Sequence, residues 1–309
     1  MNQMYDLVIV GGGPAGVSAG VYAARKRLKS LIIAPDFGGQ STVSEDIQNW
    51  IGTTKISGKE LAENLKAHLL AYSGESLEIK EGEGVQDIKK DGENFTVITE
   101  KREYQTKTIL ITTGSTRRKL DIPGAGEFDN KGLTYCASCD GPLFAGQDVI
   151  VVGSGNAAFE TSAQLLAYCK SVTLLSRSDA LKADAITISK LVQNPNFKII
   201  TNAIPVEIKG DNFVKSIVWE DGKTKERHEI ETPGIFIEIG LIPTTFFAKN
   251  ILELNEVGQI PTDPRTQQTK VPGVWAAGDC TDGLYHQNNI ASGDAVKALE
   301  DIYVTLRTK

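Results

Sequence analysis

The 309-residue chain has only four cysteines, three histidines and two methionines. The first two scarcities each exclude a class of protein. Thiols at 136, 139, 169 and 280 alone are too few for the disulfide framework of a small secreted domain. His68, His228 and His286 fall in unrelated segments, so Cys136 and Cys139 have no second ligand pair to complete a zinc site. No stretch approaches the ~18 apolar residues of a membrane-spanning helix. Basic residues are outnumbered, 33 Lys and Arg against 39 Asp and Glu, and no basic run offers nucleic acid a concentrated positive face. Met1 to Tyr5 runs into an apolar strand without the basic, apolar and cleavage regions of a leader, so the expected location is cytoplasmic. With 40% apolar residues, the length suits two domains of about 150 residues.

Two glycine-rich turns stand out. Asp6-Leu7-Val8-Ile9-Val10 is a β-branched apolar run, as a buried parallel strand should be. Gly11-Gly12-Gly13-Pro14-Ala15-Gly16 follows, then a helical stretch from Val17 to Lys26 and a second strand, Ser30 to Ala34. In strand–turn–helix–strand context, Gly11 permits the tight turn and Gly13 lets backbone approach a pyrophosphate. Gly16 lets helix pack on strand, and the helix amino terminus offers donors to phosphate. The acidic residue expected at the end of the second strand is absent, and Asp36 lies just beyond it.

The same design returns 142 residues later. Gln147 to Val152 is a strand, Gly153-Ser154-Gly155-Asn156-Ala157-Ala158 is GxGxxA, Phe159 to Tyr168 is helical and Val172 to Leu175 is a strand. Two such fingerprints imply two dinucleotides, one a flavin and one a nicotinamide, since a hydride donor needs an acceptor. Ser176-Arg177-Ser178-Asp179 and Lys182 follow the second unit's strand. One arginine and one lysine leave NADPH and NADH both open. Leu77 to Lys107 and Lys198 to Glu231 alternate like antiparallel insertions, Thr108 to Thr113 reads as a separate returning strand, and Thr54 to Tyr72 reads as an amphipathic helix. Taken alone, Gly38-Gly39-Gln40-Ser41 and Gln48 to Gly52 read as plain surface loops. Gly234 to Gly240 and Val274 to Ala277 are strands, the latter halted by Gly278-Asp279, and Asn288 to Leu306 is a closing helix.

Between the fingerprints lies Tyr135-Cys136-Ala137-Ser138-Cys139-Asp140-Gly141. Two thiols separated by two residues can cycle between disulfide and dithiol, and the adjoining carboxyl of Asp140 can manage a proton. Cys169 and Cys280 read as packing residues.

In this order and spacing, Gly11–Gly16, Gly38-Gly39-Gln40, Thr113-Gly114, Cys136–Asp140, Gly153–Ala158 and Ala276–Asp279 resemble the low-molecular-weight thioredoxin reductases over essentially the whole chain. Cys139 to Phe144, Leu181 to Asp184, Gly240 to Pro243 and Ala277 to Thr281 are similar to the reductase portion of the alkyl hydroperoxide reductase flavoprotein, without that protein's amino-terminal disulfide domain. The resemblance implies an α/β fold of two Rossmann-like, three-layer ββα dinucleotide-binding domains, the second inserted in the first. Residues 1–115 and 245–309 would bind FAD, and 116–244 would bind NADPH or NADH and carry the redox pair. It further implies FAD contacts at Gly11, Gly13, Pro14, Ala15, Gly16, Gly39, Gln40, Asn49, Val85, Thr113, Gly114, Gly278, Asp279, Gln287 and Asn288. Nicotinamide-nucleotide contacts would lie at Gly153, Gly155, Asn156, Ala157, Arg177, Lys182 and Gly240. Cys139 would face the flavin, Cys136 would attack the partner disulfide and Asp140 would serve as acid/base, with the domains rotating between the two tasks. The implied partner is a separate thioredoxin-like or glutaredoxin-like protein, with a peroxiredoxin system also fitting, and the implied assembly a homodimer. Where that family carries His-Arg-Arg, this chain has Ser176-Arg177-Ser178, and His286 replaces its usual cation. A ferredoxin-type donor, an oxygen-using dithiol oxidase and a non-catalytic redox sensor are the alternatives.

Overall fold

The computed structural model describes residues 3–44 and 47–308. The chain divides into two compact units, Met1–Thr116 with Ile242–Lys309, and Arg117–Leu241.

The first unit opens with β1 (Met4–Val10), α1 (Pro14–Arg25), β2 (Ser30–Ala34), α2 (Gly58–Leu70) and β3 (Leu77–Glu81). Next come the meander strands β4 (Val85–Asp91) and β5 (Asn94–Thr99), and the long strand β6 (Glu103–Ile111). Strand order in its sheet is β3-β2-β1-β6-β5-β4. The run from Leu7 to Val10 feeds two cores because alternate side chains leave opposite faces. Leu7 and Ile9 join the core under the helices, and Val8 and Val10 join the core under the meander. Two expectations need correction. Leu77–Glu81 is no part of an antiparallel insertion, since β3 pairs in parallel with β2. Its alternation comes from its place at the sheet edge, where one face remains in contact with water. Nor does a separate strand begin at Thr108. β6 runs unbroken, pairing antiparallel with β5 through its first half and parallel with β1 along its length. The amphipathic helix is also shorter than expected: it starts after Ser57, whose side chain caps it.

Two short strands, β7 (Ser115–Arg117) and, on the return, β16 (Leu241–Pro243), carry the chain between units and pair with each other. Within the second unit, in chain order, are β8 (Leu133–Thr134), the helical turn α3 (Ala137–Asp140), β9 (Asp148–Gly153), α4 (Asn156–Leu165) and β10 (Ser171–Leu175). They are followed by α5 (Ala185–Leu191), β11 (Phe197–Ile200), β12 (Ala203–Gly210), β13 (Val214–Asp221), β14 (Arg227–Glu231) and β15 (Gly234–Glu238). The parallel sheet runs β11-β10-β9-β15-β8, and β12-β13-β14 form a separate antiparallel sheet. Ile150, Val152, Ile235 and Ile237 pack toward that meander, while Val149, Val151 and Phe236 pack toward α4. Each unit is therefore a three-layer ββα sandwich. The edge strand again departs from its pattern: β11 pairs in parallel with β10 and is no part of the antiparallel insertion.

The first unit closes with β17 (Val274–Ala276), which joins β6 in parallel, and α6 (Asn288–Thr308). Ala291, Ala295, Ala298, Leu299 and Ile302 form the buried stripe of α6, the helical spacing of a single packed face. Trp275 is fully buried and donates its indole N–H to Asp301 of that helix at 2.9 Å.

Candidate active site

Both glycine turns carry open helix ends. Neither α1 nor α4 has a side-chain cap, and neither has an acidic residue in its first turn. By contrast, α2 is capped by Ser57 and α5 by Asp184. The first amides of α1 and α4 are thus left to an incoming acceptor, the arrangement that binds phosphate. At Gly13 a Cβ would meet only the Gly39 Cα, at 3.9 Å, and at Gly155 it would meet nothing within 4 Å. Both middle glycines therefore open onto space a pyrophosphate can occupy, and the residues fit the groups that the fold implies.

Around the first turn, segments far apart in sequence are tied together. Gln40 donates to Asp279 at 3.4 Å and to Ser115 at 3.3 Å. Asn288 and Ser41 hydrogen-bond at 2.8 Å, and Asn49 donates to Gln287 at 3.1 Å. Gly278, at φ +79°, lies where a Cβ would press on Ala291 at 3.1 Å and Ala15 at 3.5 Å. Thr113 donates to the Thr244 carbonyl at 2.6 Å, with Gly114 beside it. His286 Nδ1 stands 3.5 Å from an Asp279 carboxylate oxygen. The structure thus gathers Gly11, Gly13, Pro14, Ala15, Gly16, Gly39, Gln40, Asn49, Gly278, Asp279, Gln287 and Asn288 around one cradle. Val85 is different: it packs into the meander-side core. The segments 38–41 and 48–52 are not plain surface loops, because they supply a partner to four of these five hydrogen bonds. Sequence reasoning missed Ser41, Ser115 and Asn289, the last of which donates to the Asn49 carbonyl at 2.7 Å.

The second turn is braced from β10's side. Lys182 donates its amide to the Ser154 carbonyl at 2.7 Å, and Asn156 accepts the Asp184 amide at 2.8 Å. Asn156, Ala157, Arg177 and Lys182 reach the solvent. Asp179, the acid nearest the strand end, is drawn away by Lys223 at 2.7 Å and by Asn202. Gly240 follows β15 at φ +108° and accepts the Arg118 amide at 3.0 Å.

Cys136 and Cys139 form a disulfide with Cα atoms 5.3 Å apart. Both are half-buried, as is Asp140. The Cys139 amide donates to the Cys136 sulfur at 3.2 Å, a bond that favours a thiolate there once the disulfide opens. Asp140 accepts from Thr134, and its own amide donates to the Cys136 carbonyl at 3.0 Å. Ser138 bonds Gln164 of α4 at 3.1 Å, so the redox turn is pinned beside the nucleotide-cradle helix of its own unit. Arg117 donates to the Tyr135 carbonyl, and burial, with Asp129 nearby, raises the Tyr135 phenol well above its ordinary range. The other thiols are buried, Cys169 and Cys280, and burial pushes each up to about 11. They are chemically quiet at neutral pH. No group of three or more His, Cys, Asp or Glu side chains able to hold a metal occurs among the described residues, and no described helix is long and apolar enough to cross a membrane.

The family model for pyridine nucleotide-disulphide oxidoreductases matches residues 5–295. An alkyl hydroperoxide reductase component of Staphylococcus aureus (strain MRSA252) is 41% identical over 298 residues, covering 96% of this chain and 58% of that protein. An NADH dehydrogenase of Bacillus subtilis (strain 168) is 38% identical over 302 residues, with the same 96% and 58% coverage. The chain thus spans little more than half the length of these relatives. Thioredoxin reductases of Streptococcus pyogenes MGAS5005 and Giardia duodenalis match in structure over 100% of both chains, with TM-scores of 0.90 and 0.92 at 35% and 31% identity.

Proposed function

The chain belongs to the pyridine nucleotide-disulphide oxidoreductase family, and from that premise we propose that it passes electrons from NADPH or NADH through FAD to the Cys136–Cys139 disulfide, and from there to the disulfide of a thioredoxin-like or glutaredoxin-like protein. The observation that carries this reading is the placing of a disulfide next to the helix of an open glycine cradle, joined through Ser138 and Gln164. Gly11–Gly16 would hold FAD, which would supply the two-electron chemistry linking nicotinamide to disulfide. The protein's own part is to hold, open and close the sulfur pair. Two electrons and two protons convert the disulfide to a dithiol, and Asp140, next in sequence to Cys139, is the residue proposed to carry the proton. Cys136, as thiolate steadied by the Cys139 amide, attacks one sulfur of the partner disulfide and expels the other as a thiolate. Cys139 then attacks Cys136, which restores the internal disulfide and releases the partner as a dithiol. Assembly as a homodimer belongs to the same proposal.

The intact second cradle favours a nicotinamide donor over ferredoxin or a nucleotide-free oxidase. The test is anaerobic rapid mixing of the flavin-loaded protein with NADPH and NADH separately, followed by addition of an oxidised thioredoxin-like protein. We expect the flavin band to bleach with at least one nucleotide and the added disulfide to be reduced. No bleaching with either would overturn the nicotinamide reading, and bleaching without disulfide reduction would overturn the protein-disulfide reading.

A further inference from the structure

Glu238 interrupts an otherwise apolar strand, Gly234-Ile235-Phe236-Ile237, and takes no part in the chemistry of the sulfur pair. In register, β15 lies between β9 and β8, and Glu238 pairs with Gly153, the first glycine of the second turn. The sheet winds outward from β9 through β10 and β11 on one side and resumes with β15 on the other. The gap between β9 and β15 is thus the point where strand order reverses, and ligands of open α/β sheets lie there, beyond the carboxyl ends of the strands. A dinucleotide across this gap has its adenosine ribose toward the end of β10 and its pyrophosphate on the turn before α4. Its nicotinamide end must then extend over β15, where Glu238 is.

The carboxyl is built to stay in place. Its Oε1 accepts from Thr161 of α4 at 2.8 Å, and no described hydrogen bond reaches Oε2, which leaves an acceptor for a ligand. Burial is the largest influence on its charge and disfavours ionisation. The Thr161 bond and Arg117 favour the ionised form, and Glu160 of α4 opposes it. The net result pushes the group up to about 7, so it changes charge within the working range of a neutral-pH enzyme.

Building on the nicotinamide reading above, we propose that Glu238 holds the nicotinamide end of the nucleotide and, when ionised, favours the cationic oxidised ring over the neutral reduced one. When hydride leaves the reduced nucleotide for its acceptor, the ring gains a positive charge. Glu238 then releases its proton to water, and the new carboxylate balances that charge. Arg117 and Thr161 are positioning residues in this account, because they act through Glu238.

The test uses equilibrium binding to the oxidised, flavin-loaded enzyme, where no electron transfer intervenes. NAD+ is compared with ADP-ribose, which lacks the ring, at pH 6 and pH 8, and NADP+ with 2′-phospho-ADP-ribose in the same way. For wild type, affinity for the oxidised nucleotide should rise about tenfold from pH 6 to pH 8 relative to its ring-less control, the factor expected of one partly screened ion pair. Glu238→Gln keeps an acceptor for Thr161, so a purely structural role would survive it, whereas the proposal requires the pH difference to vanish. An unchanged pH difference in Glu238→Gln, or a flat one in wild type with ring-less controls still binding, overturns the role of Glu238 alone. If neither nucleotide nor control binds wild type, the nicotinamide reading itself fails and this inference falls with it.

Discussion

In the first unit, a Cβ on Gly16 would lie 1.9 Å from the Gly11 carbonyl oxygen, whereas the matching place in the second unit is filled by Ala158, fully buried against Gly153. The contrast extends outward. The first cradle is laced by Gln40–Asp279, Ser41–Asn288 and Asn49–Gln287, bonds that join residues about 240 positions apart. The second presents Asn156, Ala157 and Arg177 to solvent. A ligand held by loops from both ends of the chain leaves only if several hydrogen bonds break together. One lying beside solvent-exposed side chains at the carboxyl ends of the strands is held by fewer such ties. On the proposed reading, the same fingerprint would serve a resident cofactor in one unit and an exchanging substrate in the other.

Exchanging the third position of the two turns should break this comparison most sharply. Gly16→Ala forces backbone apart, so it should lose bound flavin and cost about 3 kcal/mol or more of stability, read by flavin absorbance and thermal melting. Ala158→Gly removes only one buried methyl and helix propensity and should cost about 1–2 kcal/mol, with flavin retained. Equal effects would show that the two turns are packed alike after all.

A second prediction concerns Glu238 in the absence of any nucleotide. Its carboxyl rises from an ordinary 4.5 to about 7 in the folded protein, so the folded state holds that proton more tightly than the unfolded chain. The stabilisation is complete below pH 4.5 and is lost as pH climbs toward 7. Glu238→Gln should therefore melt like wild type near pH 4.5 and above it at pH 8, by roughly 3 kcal/mol. A difference independent of pH would mean that burial does not raise this group.

The smallest expected effect on the fold is at Gly155, where an added Cβ meets nothing. Gly155→Ala should change stability by less than about 1 kcal/mol yet weaken nucleotide binding about tenfold, because the methyl enters the space left for phosphate. Intact binding would place the pyrophosphate elsewhere.

What was legible in the sequence follows from how local each signal is. The glycine turns, the first strands and the redox pair are short-range patterns, and the limits of β2 at Ser30 and Ala34 could be read directly. Edge strands misled, because Leu77–Glu81 and Phe197–Ile200 alternate like antiparallel strands while pairing in parallel. The ties between the loops around Gln40 and Asn49 and the start of α6 were invisible, since neither partner announces the other across the chain. Glu238 carried a signal that went unused, a charge inside a buried apolar strand at a sheet's carboxyl edge.

If electrons entering the flavin reach the Cys136–Cys139 disulfide, an anaerobic reductive titration will count them. A disulfide takes up two electrons, so the wild-type flavoprotein should consume two more electrons per flavin than Cys139→Ser before both are fully reduced. Identical uptake by the two proteins would mean that the disulfide does not exchange electrons with the flavin, and the account would be wrong at its centre.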